Sequence, residues 1–267
     1  MSSYQAISRE RHHQQGWQRD FTYAFAAREA VVPLTVTELP KAVMSLPTAF
    51  IQQANIIIPV AVLGLQTGNN LFVSRDGRWA GTYIPALLRA YPFRLVKARD
   101  GKGVLCIDED SGLMTCLPTG EPFFAEDGQP AKAVLDVLNF LDQLEQSQLR
   151  TVGACAALQK HHLIRPWPIM LKTATGEQAI TGLFQIDEAA VNALSGADLL
   201  EVRQAGALPA IYCQLLSMQH LPRLGQLAEA QVKAAAQALE AERLSENGEL
   251  NLDFLNNNGT ISFAGLL

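Results

Sequence analysis

Most of the chemically capable side chains of this chain fall in one block, NLFVSRDGRWAGTYIPALLRAYPFRLVKARDGKGVLCIDED, running from Asn70 to Asp110. Trp79, Tyr83, Tyr91 and Phe93 are interleaved there with Arg75, Arg78, Arg89 and Arg94. Aromatic rings and guanidinium groups are enriched at binding hot spots: a ring offers a large rigid contact, and Arg both stacks on rings and grips carboxylates bidentately. Trp79, Arg78, Arg89 and Tyr91 are therefore the candidate recognition residues. Tyr83 and Phe93 read as core, because Tyr83, Leu87 and Tyr91 share a helical face.

The block ends on three acids, Asp108-Glu109-Asp110, directly after a predicted strand. Side chains alternate faces along a strand, so Asp108 and Asp110 can converge while Glu109 points away. Such a pair suits a polar ligand or a metal; a solvated acidic turn is the simpler reading. Elsewhere the sequence lacks the spacings that catalysis needs. His12-His13 and His161-His162 are adjacent pairs, His220 stands alone, and no H-E-x-x-H occurs. There is no G-x-S-x-G, Walker loop or G-x-G-x-x-G. The four cysteines, Cys106, Cys116, Cys155 and Cys213, form no C-x-x-C pair and read as reduced thiols. No catalytic residue, metal ligand or cofactor is assigned.

These side chains need a frame, and composition supplies one. Hydrophobic residues make up 48% of the 267 and charged residues 18%, enough for a substantial core. A net charge of −5 argues against nucleic acid as a partner. The longest apolar run, Ile56 to Leu65, is broken by Pro59 and is about half of what a bilayer requires, so no membrane insertion is expected. The first residues lack the apolar stretch of a Sec signal peptide, so a cytoplasmic location is expected.

Residues 1–20 are polar and read as a flexible leader, 21–225 as one domain, and 226–267 as a C-terminal helix with a hairpin arm. The fold class is α+β, with a mixed or antiparallel sheet in the N-terminal half, packed helices, a helical C-terminal half and a terminal β-hairpin. TAFIQQ and IIIPVAVLGL read as strands, FRLVKA and GVLCID as a hairpin, and the residues flanking Ala174-Thr175-Gly176-Glu177 as a second hairpin. Thr37 is expected to cap one short helix and Thr82 another. Apolar residues at three- and four-residue steps from Val134 past Leu149 and Val152 to Leu158 predict a long helix. Asp187 caps a following helix, and Gly206 ends the next. The LNLDFL and TISF runs around Asn256-Asn257-Asn258-Gly259 predict the terminal arm, which docks on the body or on a second copy, with homodimerisation the expectation.

From Val31 to about Leu224 the chain resembles the SapC family of bacterial surface-array (S-layer) loci. The resemblance is carried by VVPL, Glu38-Leu39-Pro40, Asn70-Leu71-Phe72-Val73, Asp76-Gly77-Arg78-Trp79, Tyr83-x-Pro85, Leu88-Arg89-x-Tyr91-Pro92-Phe93 and Cys106-Ile107-Asp108. FQIDEAAVNALSGADLLEVRQAGAL and IYCQLLSM add to it. Two positions depart from the family pattern: Asn69 stands where Glu is frequent, and Gln214 where His is frequent. The resemblance implies a soluble bacterial accessory protein linked to surface-layer protein export; the leading functional reading is a cytoplasmic, non-enzymatic accessory protein that assists surface-layer or secreted proteins by binding a protein or peptide client. The rival reading is a small-molecule-binding protein or enzyme with its pocket between the Trp79 turn and the Asp108 strand end. A closed cavity collecting Arg, Trp and the acids favours the rival, and a flat surface the client.

Overall fold

A computed structural model describes residues 3–19, 22–98, 101, 103–173 and 176–246, without the side chains of 171–179 and 238–246. The fold is α+β. Its strands are β1 (Tyr4–Ala6), β2 (Gln15–Trp17), β3 (Val31–Pro33), β4 (Thr48–Gln53), β5 (Ile56–Val62), β6 (Phe93–Lys97), β7 (Gly103–Asp108), β8 (Met114–Cys116), β9 (Glu121–Pro122), β10 (Ile164–Pro166), β11 (Ile169–Thr173), β12 (Gly176–Ile180) and β13 (Leu183–Ile186). The helices are α1 (Arg9–His12), α2 (Leu39–Ala42), α3 (Ala86–Arg89), α4 (Lys132–Lys160), α5 (Glu188–Asn192), α6 (Gly196–Gln204), α7 (Leu208–Ser217) and α8 (Leu221–Glu246). Two units divide the chain, Met1–Leu224 and Gly225–Leu267. Residues 247–267, where the sequence predicts the terminal hairpin, lie outside the described residues.

Among the described residues the first unit carries four small sheets with strand orders β1-β7-β6, β10-β13-β4-β5-β3, β11-β12 and β8-β2-β9. Each pairing is antiparallel among the described residues. The β6–β7 hairpin falls where the sequence puts it, and the strands read from TAFIQQ and IIIPVAVLGL pair with each other as β4 and β5. β4 and β5 turn through Ala54 and Asn55, both at positive φ, the conformation a two-residue turn needs to match strand twist. Helix α4 buries Val134, Leu141, Leu144, Ala154, Cys155 and Leu158 along one stripe and packs on β5 and β6. Leu149 and Val152, counted by the sequence into that apolar stripe, face outward at 66% and 55% exposure. In their place Ser147 and Thr151 are buried. Thr151 accepts the Val36 N–H at 2.9 Å and Ser147 pairs with Thr37, so the polar gap in the stripe anchors the loop ahead of α2.

Of residues 1–20, expected as a flexible leader, the described residues 3–19 include two strands and a helical turn. β1 pairs with β7, setting Tyr4 opposite Asp108, and β2 sits between β8 and β9. Trp17 packs edge-on against Phe93 at 4.7 Å, and the fully buried His12 meets Phe123 at 5.3 Å. The Ser8 N–H donates to His12 Nδ1, and Nε2 faces Glu109 Oε1 at 3.3 Å. The long-range partners of this segment lie from 76 residues (Trp17 to Phe93) to more than a hundred residues away, so its own polar composition gives no sign of them.

Both expected threonine caps are replaced. Helix α2 starts at Leu39, after Glu38, and α3 starts after Pro85 rather than at the exposed Thr82. Asp187 and Ser195 cap α5 and α6 through their side chains, and Gly206, at positive φ, follows the end of α6. All four cysteines are free thiols, and burial pushes Cys155 up to about 12.

Candidate functional site

A half-open cleft of about 520 Å³ lies against β3 and the β1-β7-β6 sheet. Val31, Val32 and Pro33 of β3 form part of its wall, and Leu87, Leu88 and Leu141 give it an apolar lining. Tyr4, Arg94 and Asp108 line it from the sheet, because the register puts them on one face: Tyr4 is opposite Asp108, and Arg94 is opposite Cys106 two residues earlier. Phe25 and Tyr91 stack at 3.9 Å and 13°, and Glu29 completes the lining charges. Tyr91 is shared with a second hollow of about 360 Å³, lined among others by Trp17, Arg19, Tyr23, Arg89 and Phe140.

Asp108 is 4% exposed. Its Oδ1 accepts the N–H of Ser3 at 3.0 Å and that of Asp110 at 3.3 Å. Asp110 does not join it. β7 ends at Asp108 and residues Glu109–Ser111 coil into a 3-10 turn, so the strand alternation stops and Asp110 is exposed. Glu109 is instead paired with Arg11 and faces His12. Burial raises the Tyr4 phenol above its ordinary value; Arg94, whose guanidinium lies 4.5 Å from the ring centroid, opposes the shift, and Asp108 adds to it.

The Trp79 turn is a separate feature. Gly77 stands at positive φ, and the Ser74 N–H donates to the Arg78 carbonyl, closing the turn. Ser74 Oγ donates to Asp76 at 2.6 Å, which is the chief cause holding Asp76 below the usual carboxylate range. Arg78 is exposed and pairs with Asp76. Trp79 is half-buried, stacked on Phe72 at 5.5 Å and edge-on to Tyr23 at 5.7 Å, with its Nε1 donating to the Tyr83 carbonyl at 2.9 Å. Neither Trp79 nor Arg78 lines the cleft that holds Asp108. Of the six sequence candidates, Tyr91 and Asp108 share the main cleft and Arg89 stands at the adjoining hollow; Trp79, Arg78 and Asp110 lie elsewhere. Arg89 donates through Nε to the Ile84 carbonyl and lies over the rings of Tyr83 and Phe140.

Sequence reasoning missed Glu38, which ties the wall of the site to its frame. At 7% exposure its Oε2 accepts from the Thr35 N–H and Oγ1, each at 3.0 Å, and its Oε1 from Tyr83 Oη at 2.9 Å and the Ala86 N–H at 2.7 Å. One carboxylate thus joins the turn that follows β3 to the first turn of α3. The signal for part of this was present: Thr35 and Glu38 have the spacing of a reciprocal capping pair. Burial, then the Glu38 charge, raises the Tyr83 phenol well above its ordinary value.

His161, Asp198 and Glu201 bring one nitrogen and two carboxylate oxygens within 4.8 Å of one another. His161 Nε2 lies 3.2 Å from Glu201, and Lys160 also pairs with that carboxylate. The Lys160 hydrogen bond is the chief cause lowering Glu201. The arrangement is an ion-pair cluster joining the end of α4 to α6.

Gln214, one of the two departures from the family pattern, is 1% exposed. It accepts the Ile186 N–H at 2.9 Å and donates to the Thr48 carbonyl at 3.3 Å, bridging β13 and β4. The model of the SapC family matches residues 7–224. The chain belongs to the SapC family. No similarity to a curated protein or to a solved structure was found. Among the described residues no helix is long and apolar enough to cross a membrane.

Proposed function

We propose that this protein binds an extended peptide segment of a protein client in the cleft beside β3, in keeping with the accessory role in surface-layer protein export that the SapC resemblance implies. The observation that carries this reading is the unpaired edge of β3. Among the described residues β3 is the last strand of its sheet and pairs with β5 alone. Leu63 N–H donates to the Ala30 carbonyl and Leu34 N–H to the Pro59 carbonyl, so Ala30, Val32 and Leu34 direct their backbone groups toward β5. By the alternation of antiparallel pairing, Val31 N–H, Val31 C=O and Pro33 C=O point the other way. A free edge alongside a cleft with apolar walls is the arrangement by which proteins add an extended peptide as a strand, with backbone hydrogen bonds giving affinity and the hollow receiving alternate side chains.

The test is Val31→Pro, which removes the outward N–H without touching the β3–β5 ladder; proline is tolerated on an edge. Peptides selected on the native protein from a random heptapeptide display are expected to bind, to slow amide exchange at Val31, and to lose most of their affinity for the variant. Unchanged affinity in a variant with an unchanged melting curve would remove β3 from the site and leave the cleft to a small molecule.

A further inference from the structure

Resting on the peptide reading above, we infer that the part of this cleft lined by Asp108 takes a cationic side chain, lysine or arginine, of the bound segment, with Asp108 as its counter-charge. Asp108 is the buried charged group on the wall, and its two backbone donors both reach Oδ1. Among the described residues no Lys, Arg or His forms an ion pair with Asp108 or with Glu29. A carboxylate largely removed from water gains most from a charge-assisted partner that arrives with its own hydrogen-bond donors. The lining residues include one cation, Arg94, which is exposed and held over the Tyr4 ring. The two acids, Asp108 and Glu29, outnumber it, and the more buried of the charges is negative.

The remaining wall suits the stem of such a side chain. Lysine and arginine carry three or four methylenes that pack on apolar surface while the head group reaches a polar partner. Leu87, Leu88 and Leu141 supply apolar surface in the cleft, and the Phe25–Tyr91 stack supplies ring surface of the kind that attracts a cation. A strand added along β3 directs every second side chain to one side, so one residue of the segment can be delivered into the cleft while its neighbours face away.

The experiment is fluorescence anisotropy with labelled Thr-Val-Thr-Xaa-Thr-Val-Thr peptides in which Xaa is Lys, Arg, norleucine or Glu. The Lys and Arg peptides are expected to bind the native protein about tenfold tighter than the norleucine peptide, with the gap narrowing as salt rises. Asp108→Asn keeps an oxygen for the Ser3 and Asp110 N–H groups and should erase the preference for Lys and Arg over norleucine. Glu29→Gln, at an exposed position, should reduce the preference in part and serves where Asp108→Asn lowers stability. Equal binding of the Lys and norleucine peptides, or a preference that survives both substitutions, overturns the inference and leaves the peptide reading standing. If no peptide of the set binds, both fall together.

Discussion

Replacing Glu38 with Gln should destabilise the first unit by about 2–4 kcal/mol, and the arithmetic follows from its four hydrogen bonds. Each carboxylate oxygen serves one backbone N–H and one hydroxyl. A glutamine presents one oxygen and one NH₂, so whichever way the amide is turned, the NH₂ faces one of the two backbone donors. A hydroxyl can rotate to accept from it, so Thr35 Oγ1 or Tyr83 Oη adapts. The backbone N–H of Thr35 or Ala86 cannot, and a buried donor left unmet costs about 1–3 kcal/mol. Loss of charge assistance from the surviving bonds adds about 1 kcal/mol more.

Glu38→Ala strands both backbone donors and should cost at least as much. In a unit of this size 1 kcal/mol corresponds to roughly 2–4 °C in Tm, so Glu38→Gln should melt about 4–16 °C lower. Urea denaturation followed by tryptophan fluorescence reads the difference directly. A Glu38→Gln midpoint within about 0.5 kcal/mol of the native protein would refute the reasoning, because it would mean that solvent meets the donors the carboxylate is said to satisfy.

Two further outcomes are expected. The Tyr83 phenol is raised in the fold, chiefly by burial, so its protonated form is favoured there; the stabilisation is complete below the unfolded value of about 10 and is lost as pH rises toward the folded one. Melting curves above pH 10 should therefore fall more steeply for the native protein than for Tyr83→Phe, and parallel slopes would remove the coupling. Trp79→Ala should cost about 2–3 kcal/mol, since it removes the contacts with Phe72 and Tyr23 and the bond to the Tyr83 carbonyl, whereas Arg89→Ala should cost about 1 kcal/mol or less. Urea midpoints that rank the two the other way round would return Trp79 to the surface and Arg89 to the frame.

The sequence made the local elements legible where one residue type decides the conformation. Asp187 and Gly206 mark helix ends because a short acceptor and a residue free of Cβ are what those positions require. The 93–108 hairpin and the length of α4 follow from apolar periodicity. What stayed hidden depends on partners remote in the chain. Thr37 and Thr82 look like caps in isolation, yet Thr37 is drawn to Ser147 on α4, and the first N–H of α3 is taken by Glu38, forty-eight residues earlier. The leader looked mobile because strand pairing between Tyr4 and Asp108 leaves no trace in either local segment.

The candidate site was legible in part for a related reason. Three segments that carry the family resemblance, VVPL, LRAYPF and the CID run, each put residues on the cleft wall: Val31, Val32 and Pro33 from the first, Leu88, Tyr91 and Phe93 from the second, Asp108 from the third. Others that carry it equally well, Glu38, Asn70 and the Asp76–Trp79 turn, hold the frame instead. Asn70 is buried, donating to the Ala26 carbonyl and accepting the Phe72 N–H, which fixes the loop leading into the Trp79 turn against the segment that carries Phe25. Residue type does not separate these two groups, since each contains aromatic and acidic side chains. The separation lies in whether a polar atom has its partners within the fold. Both oxygens of Glu38 are used by protein donors, while Asp108 commits one to the backbone and lines a cleft with no cation paired to it among the described residues. That difference makes Glu38 a position to probe by stability and Asp108 a position to probe by binding.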